Sequence, residues 1–197
     1  KTAYEIRPRD WSSDVCSSDL PEIEDFVSQK ETIYAGFGSM KKKNPHKLAE
    51  TIVLACKELD LQLIINKGWG GLALPEKFRL DKNIKFVDGV SHAKLFPKVK
   101  AIMHHGGVGT VHAALRAGTV SIITPFIVDQ PWWADRLNRL NLGPKSLPLW
   151  KFTKNNVIKR INQTSQYKEN VQNIAKIMRE DNGIENTLNL IEKFLSR

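Results

Sequence analysis

His104 to Trp133 reads HHGGVGTVHAALRAGTVSIITPFIVDQPWW, and this stretch decides the fold. Ala101-Ile102-Met103 closes an apolar run that reads as a buried parallel strand, and Val111 to Ala117 reads as a helix, which leaves His105 to Thr110 as the turn between them. A helix start offers unpaired N–H groups and partial positive charge to an anion. Gly106, Gly107 and Gly109 let the backbone approach oxygens that a Cβ would hold away. Thr110 adds a hydroxyl, and the His105 ring can donate to a diphosphate. The pattern then repeats. Val120 to Thr124 is a β-branched strand, Pro125 to Val128 a loop, and Asp129-Gln130 precede Pro131, which suits the first turn of a helix. A carboxylate beside an amide at a strand end matches the vicinal hydroxyls of a hexose. Two successive strand-to-helix junctions thus read as phosphate site and sugar site.

Outward from this stretch the chain keeps alternating. Thr32 to Phe37, Leu61 to Asn66, Ile84 to Val87 and Lys100 to Met103 read as strands; His46 to Leu59 and Ala93 to Pro97 read as helices. Asn155 to Ile161, Tyr167 to Met178 and Ile184 to Leu195 follow as amphipathic helices, the second placing Val171, Ile174, Ile177 and Met178 on one face. Such alternation predicts an α/β domain with a parallel sheet covered on both faces and ligands at the carboxyl ends of its strands. No internal repeat is present.

HHGGVGT, ALRAG, TPF, DQPWWADR and LGP occur in this order, together with YAGFGSM at Tyr34 to Met40, KGWGGL at Lys67 to Leu72 and VDGVSHAKLFPKVKAIMHHGG from Val87. The set resembles the C-terminal half of a glycosyltransferase with two Rossmann-like domains, the GT-B fold of the UDP-glycosyltransferase superfamily. Sterol and lipid glucosyltransferases and bacterial antibiotic glycosyltransferases are the nearest subgroups. The resemblance implies a nucleotide-sugar donor, UDP-glucose by family habit with thymidine sugars as the alternative. It implies no cofactor and no metal, and transfer with inversion to a sterol, lipid or other hydrophobic hydroxyl acceptor. It also implies that Gly38-Ser39 face the diphosphate and the acceptor side, with Gly38 lining the pocket. Val90 meets the nucleobase through its backbone, His105 touches the diphosphate, Gly107 to Thr110 wrap it, and Asp129-Gln130 hold the sugar. Two departures stand out. Ala113 occupies the place of a ribose-binding Glu in plant relatives, and Val120 that of a usual Pro.

Residues 1–20 read differently. KTAYEI and DWSSDVCSSDL back-translate into the two constant parts of a common indexed sequencing adapter, with Arg7-Pro8 at its index. The expected division is a translated adapter over 1–20 and a donor-binding domain over 21–197. The acceptor domain and its general-base histidine would then be absent, and the chain would bind without turnover, exposing apolar surface where that domain should sit. A disordered natural tail is the other reading of the first twenty residues. A stand-alone nucleotide-sugar-binding subunit, or an epimerase of the same fold, is the other reading of the function.

Composition narrows the partners. The net charge is +9; Lys1, Arg7 and Arg9 against Glu5, Asp10, Asp14 and Asp19 make the first twenty residues −1, so the remainder carries +10. The basic run Lys41-Lys42-Lys43 and the Lys and Arg of the last helices read first as solvated surface. Nucleic acid is not expected, since no basic stripe with interleaved aromatics is present. Peripheral contact with anionic lipid headgroups stays open. Cys16 falls in the first segment and Cys56 on a helix, where a buried small hydrophobe is expected; no disulfide framework follows, and the cytoplasm, with the inner membrane face as an option, is the default. His104, His105 and His112 lack the Cys or carboxylate partners of a closed zinc site, and His104 reads as a core histidine. Trp69 either lines the pocket or plugs its loop, Trp132 and Trp133 read as core and cleft wall, and Asp129 could instead cap its helix.

Overall fold

The computed structural model describes residues 20–40, 44–68, 72–181 and 183–196. Five strands, β1 (Thr32–Gly36), β2 (Gln62–Asn66), β3 (Ile84–Val87), β4 (Ala101–His104) and β5 (Val120–Ile123), form one sheet in the order β3-β2-β1-β4-β5, every neighbouring pair parallel. All residues of β1, β4 and β5 are buried, the run of apolar side chains expected of strands covered on both faces. β3 is the half-exposed edge.

One face carries α2 (Pro45–Glu58) and α6 (Lys154–Asn162). Ile33, Ala35, Leu63, Ile65, Met103 and Ile122 project onto them, meeting Ile52, Val53, Cys56, Val157 and Ile161 in the larger core. Alternate strand residues project the other way, as the two-residue period requires. Tyr34, Ile64 and Ile102 pack under α1 (Leu20–Gln29), α3 (His92–Leu95) and α4 (Val108–Ala117), with Ile23, Phe26, Phe96 and Ala114. A third cluster joins β5 to the outer side of α4, to α5 (Gln130–Arg139) and to α7 (Lys168–Glu180). α8 (Gly183–Leu195) ends the described chain with Leu190, Phe194 and Leu195 exposed.

Helix ends follow local chemistry. α2 starts with Pro at its first turn, and Thr153 caps α6 by accepting from the Asn156 N–H. α2, α4 and α5 stop alike, at a left-handed residue, Asp60, Gly118 or Asn141, after which the N–H of Leu61, Thr119 or Leu142 reaches back to the carbonyl of Cys56, Ala114 or Leu137.

Beyond shifts of one or two residues at most element ends, three features depart from expectation. α1 was not foreseen. α4 begins at Val108, not Val111, so Gly109 and Thr110 belong to its first turn rather than to the preceding loop. On α7 the buried positions are Val171 and Ala175, while Ile177 is exposed, because the stripe against α4 turns one residue away from the apolar count. Cys56 is buried as expected, and desolvation pushes its thiol up to about 12. Lys41 to Lys43, Trp69 and the first nineteen residues lie outside the described residues.

Candidate functional site

β1 and β4 are adjacent, yet the chain leaves β1 toward β2 on one side and reaches β5 from β4 on the other. Their carboxyl ends open the crevice in which such sheets bind ligands. Into it run the loops after β1, β4 and β5. Gly38 turns with a φ of +58°, a conformation glycine adopts freely, and Ser39 beside it is exposed. His105 leaves β4 directly above. Its ring lies between two glycines: a Cβ on Gly38 would come 3.1 Å from Cε1, and one on Gly107 would come 2.4 Å from Nε2. A side chain on Gly107 would force the ring to move, and one on Gly38 would need a strained left-handed backbone and a ring shift of a few tenths of an ångström.

Gly107 is the residue before α4, and the first backbone bond of that helix is donated by Val111 to the Gly107 carbonyl. The N–H groups of Val108, Gly109 and Thr110 therefore have no acceptor within the helix and point outward with the positive end of its dipole. A Cβ on Gly109 would meet nothing within 4 Å, so this glycine faces open space. Thr110 is half-buried in the same turn.

The loop after β5 closes the other side. A Cβ on Gly106 would meet Ile123 Cγ2 at 2.7 Å and Gln130 Cβ at 3.4 Å, which locks the β4 and β5 loops together. Gln130 is buried; its Oε1 accepts from the Phe126 N–H at 2.8 Å and the Ile127 N–H at 3.2 Å, and its Nε2 is 3.6 Å from Met40 Sδ. Two backbone donors fix the amide orientation, so the carbonyl holds the loop and the NH2 group faces the Met40 sulfur in the loop after β1. Asp129 is exposed at the start of α5, and its Oδ2 accepts from the Trp133 indole at 3.1 Å rather than capping the helix. Val128 just before it has a φ of +55°, an unusual place for a β-branched residue, and is exposed. Trp133 packs on the third cluster, whereas Trp132 is mostly exposed and not core. His112 lies on the helix surface, edge-on to Trp133.

A buried polar group that the sequence reading passed over lies below the crevice. Asn66, at the end of β2, accepts from the Gly68 N–H and donates to the Tyr34 hydroxyl at 2.9 Å, whose oxygen lies 3.3 Å from Nε2 of His92. Burial pushes the Tyr34 hydroxyl up to about 12 and lowers His92. His92 follows Val90 and Ser91, so the network ties the Val90 loop to the loop after β2. Val90 is half-buried against the second core cluster. The signal was present in the sequence as Tyr34 and Asn66, polar residues within otherwise apolar strands. Gly68 approaches Gly38 so closely that a Cβ there would sit 2.6 Å from the Gly38 carbonyl oxygen. His104 is fully buried, as expected of a core histidine. Its Nδ1 accepts from the Gly106 N–H at 3.1 Å, and desolvation, with smaller contributions from His105 and His92, pulls it down to about 3. Among the described residues, no three His, Cys, Asp or Glu side chains gather where they could hold a metal ion.

The structure thus brings Gly38, Ser39, His105, Gly107, Gly109, Thr110, Asp129 and Gln130 to one crevice. Solved structures share its frame. The calicheamicin glycosyltransferase CalG4 superposes with a TM-score of 0.72 at 18% identity over 85% of this chain and 43% of that one. A UDP-glucose:anthocyanidin 3-O-glucosyltransferase in complex with UDP superposes at 0.71 with 19% identity over 92% and 44%. In sequence, the chain is 33% identical to a sterol 3-beta-glucosyltransferase of Arabidopsis thaliana over 96% of its own length and 32% of the relative's. It is also 33% identical to the Saccharomyces cerevisiae sterol 3-beta-glucosyltransferase, over 92% and 16%. The chain therefore spans a third or less of the length of these relatives. No helix among the described residues is long and apolar enough to cross a membrane. Residues 50–185 match the C-terminal domain of the erythromycin biosynthesis protein CIII-like family, and the chain belongs to that family, as a GT-B-like glycosyltransferase domain of the C-terminal, donor-side kind.

Proposed function

We propose that the crevice binds a nucleotide-sugar donor, UDP-glucose first, as the donor half of an inverting, metal-independent transferase acting on a sterol or other hydrophobic hydroxyl. The observation that carries this reading is the meeting of His105, the open N-terminal turn of α4 and the Asp129-Gln130 pair on adjacent strand ends. In this reading the diphosphate lies on the α4 N–H groups, with Ser39 and Thr110 adding hydroxyl donors. The nucleobase meets the Val90 loop. The sugar is held by the exposed Asp129 carboxylate and the Gln130 NH2 group, while the Gln130 carbonyl keeps the loop in place. Ala113 offers the ribose no carboxylate.

As the bond to the sugar breaks, charge grows on the departing phosphate. His105 and the α4 amides supply donors already oriented toward that charge, which stabilises the transition state more than the ground state. The general base belongs to the acceptor-side domain in this reading, so the 21–197 segment binds donor and does not turn it over. In an enzyme containing both halves, His105→Ala is expected to lower kcat about a hundredfold or more while changing uridine diphosphate affinity much less; equal losses in both would remove that role. The binding claim is tested by calorimetric titration of residues 21–197 with UDP-glucose, UDP and dTDP-glucose, with and without magnesium. Metal-independent binding that prefers UDP-glucose is the expected result; absence of binding by a folded sample overturns the reading.

A further inference from the structure

A second cavity, of about 800 Å³, lies at the opposite edge of the sheet. Thr32, Lys100 and Val120, which line it, stand at or beside the first residues of β1, β4 and β5, so the whole length of the strands separates it from the donor crevice. Its charge is one-sided. Lys30, Lys98, Lys100, Lys168, Lys176 and Arg179 line it, against a single carboxylate, Glu31.

α7 builds one wall. Lys168, Gln172 and Lys176 recur every four residues and Arg179 follows three later, which puts all four along one stripe of the helix, while Val171 and Ala175 turn to the core. Of these, Lys176 and Arg179, three residues apart, are close enough for like charges to repel along the helix, a repulsion that a bound anion screens. Lys168 and Lys176 have no carboxylate partner among the described residues. Arg179 is fixed rather than mobile: its Nε donates to the Arg116 carbonyl at 2.8 Å and a terminal nitrogen to that of Ala117 at 3.2 Å, at the C-terminus of α4.

The facing wall carries Lys30, Lys98 and Lys100, paired with Asp60, Glu24 and Glu31. Asp60 and Glu24 are exposed and do not line the cavity, and pairs of this kind are weak enough to exchange one partner for a stronger anion. The hydroxyls of Ser28, Thr32, Thr119, Thr164 and Ser165 donate to backbone carbonyls, so the cationic side chains and the Gln172 amide are the donors the cavity has to spare. No aromatic side chain lines it, so nothing here stacks a base.

We propose that this groove is a second anion site, taking clustered phosphate groups displayed either by a phospholipid headgroup or by a soluble polyphosphate, and acting independently of the donor crevice. Phosphate matches it because several ammonium groups and one fixed guanidinium converge on a concave surface, where charge-assisted hydrogen bonds add to the local positive potential.

The test uses the full chain with two probes: phosphatidylcholine vesicles with and without phosphatidic acid, and inositol hexakisphosphate. A Lys168→Glu/Lys176→Glu double variant is compared with Lys159→Glu/Lys193→Glu, which makes the same charge change on exposed helix positions outside the groove. Expected is salt-sensitive binding to at least one probe that falls tenfold or more in the groove variant and less than threefold in the control, the responding probe identifying the source of the phosphate. Equal losses in both variants, or binding to neither probe, overturn the site. UDP affinity, measured in parallel, stays at the wild-type value in the groove variant, which keeps this outcome separate from that of the donor reading.

Discussion

At the scale of single residues, the crevice depends on where carbon is absent. Gly107→Ala would place a Cβ 2.4 Å from the His105 ring, closer than any carbon stays, so the ring must leave its place between Gly38 and Gly107. Gly109→Ala meets no protein atom. Both variants should weaken donor binding, about tenfold or more, but for different reasons. Gly107→Ala should also lower stability, whereas Gly109→Ala, a helical position with free space around it, should raise the denaturation midpoint slightly, its Cβ meeting only the ligand. Paired calorimetry and urea titration separate the two, and an unaltered affinity in both would count against a phosphate at this turn. Val128 is the converse case. A β-branched residue at a φ of +55° stores strain next to Asp129, and Val128→Gly should raise unfolding stability by about 1 kcal/mol despite the entropy glycine adds to the unfolded chain. A lower urea midpoint would contradict this.

Among elements, the loop between β5 and α5 is held by one side chain. Gln130 Oε1 takes the two backbone N–H groups of Phe126 and Ile127. Gln130→Leu should cost about 1–3 kcal/mol and should loosen the loop, seen as faster amide exchange at residues 126 and 127; unchanged exchange there would show that another group holds it. The sequence offered Gln130 as a sugar ligand because an amide at a strand end suits a hydroxyl. Its second task was not legible, since which end of an amide is occupied depends on a loop folding back four residues. The same holds for α4, whose first turn contains glycine and β-branched residues of low helix propensity. Packing of Val111, Ala114 and Leu115 into the core extends that helix to Val108 in spite of them.

For the whole molecule, the polar layer beneath the crevice couples fold to pH. His104 is neutral in the folded chain, with its pKa pulled down to about 3, and regains about 6.5 on unfolding. Above pH 6.5 neither state binds the proton and the group contributes nothing to the pH dependence. As pH falls below that value the unfolded state takes up a proton the folded state refuses, so stability drops by up to about 1.4 kcal/mol per pH unit until pH approaches 3. His92, also lowered, acts in the same direction. The urea midpoint should therefore fall between pH 7 and pH 5, and His104→Asn should flatten that slope whatever it does to stability at pH 7. An equally steep slope in the variant would assign the dependence to other groups. In the proposed reading the two ends of the sheet divide the binding chemistry, with the donor at the carboxyl ends and the basic groove at the amino ends.

Local pattern was enough for the alternation of strand and helix, the parallel sheet, the burial of Cys56 and His104, and the gathering of the glycine turn with Asp129 and Gln130. Apolar periodicity, glycine and proline act within a few residues of themselves, and strand ends in a parallel sheet necessarily collect on one side. Contacts between residues far apart in the chain required the folded molecule. The wedging of His105 against Gly38, the Asn66–Tyr34–His92 link and the facing of Lys30, Lys98 and Lys100 by the stripe on α7 each join segments whose separation hides them from any local window. They arise only when packing brings those segments within a few ångströms, where hydrogen bonding, close contact and charge begin to act.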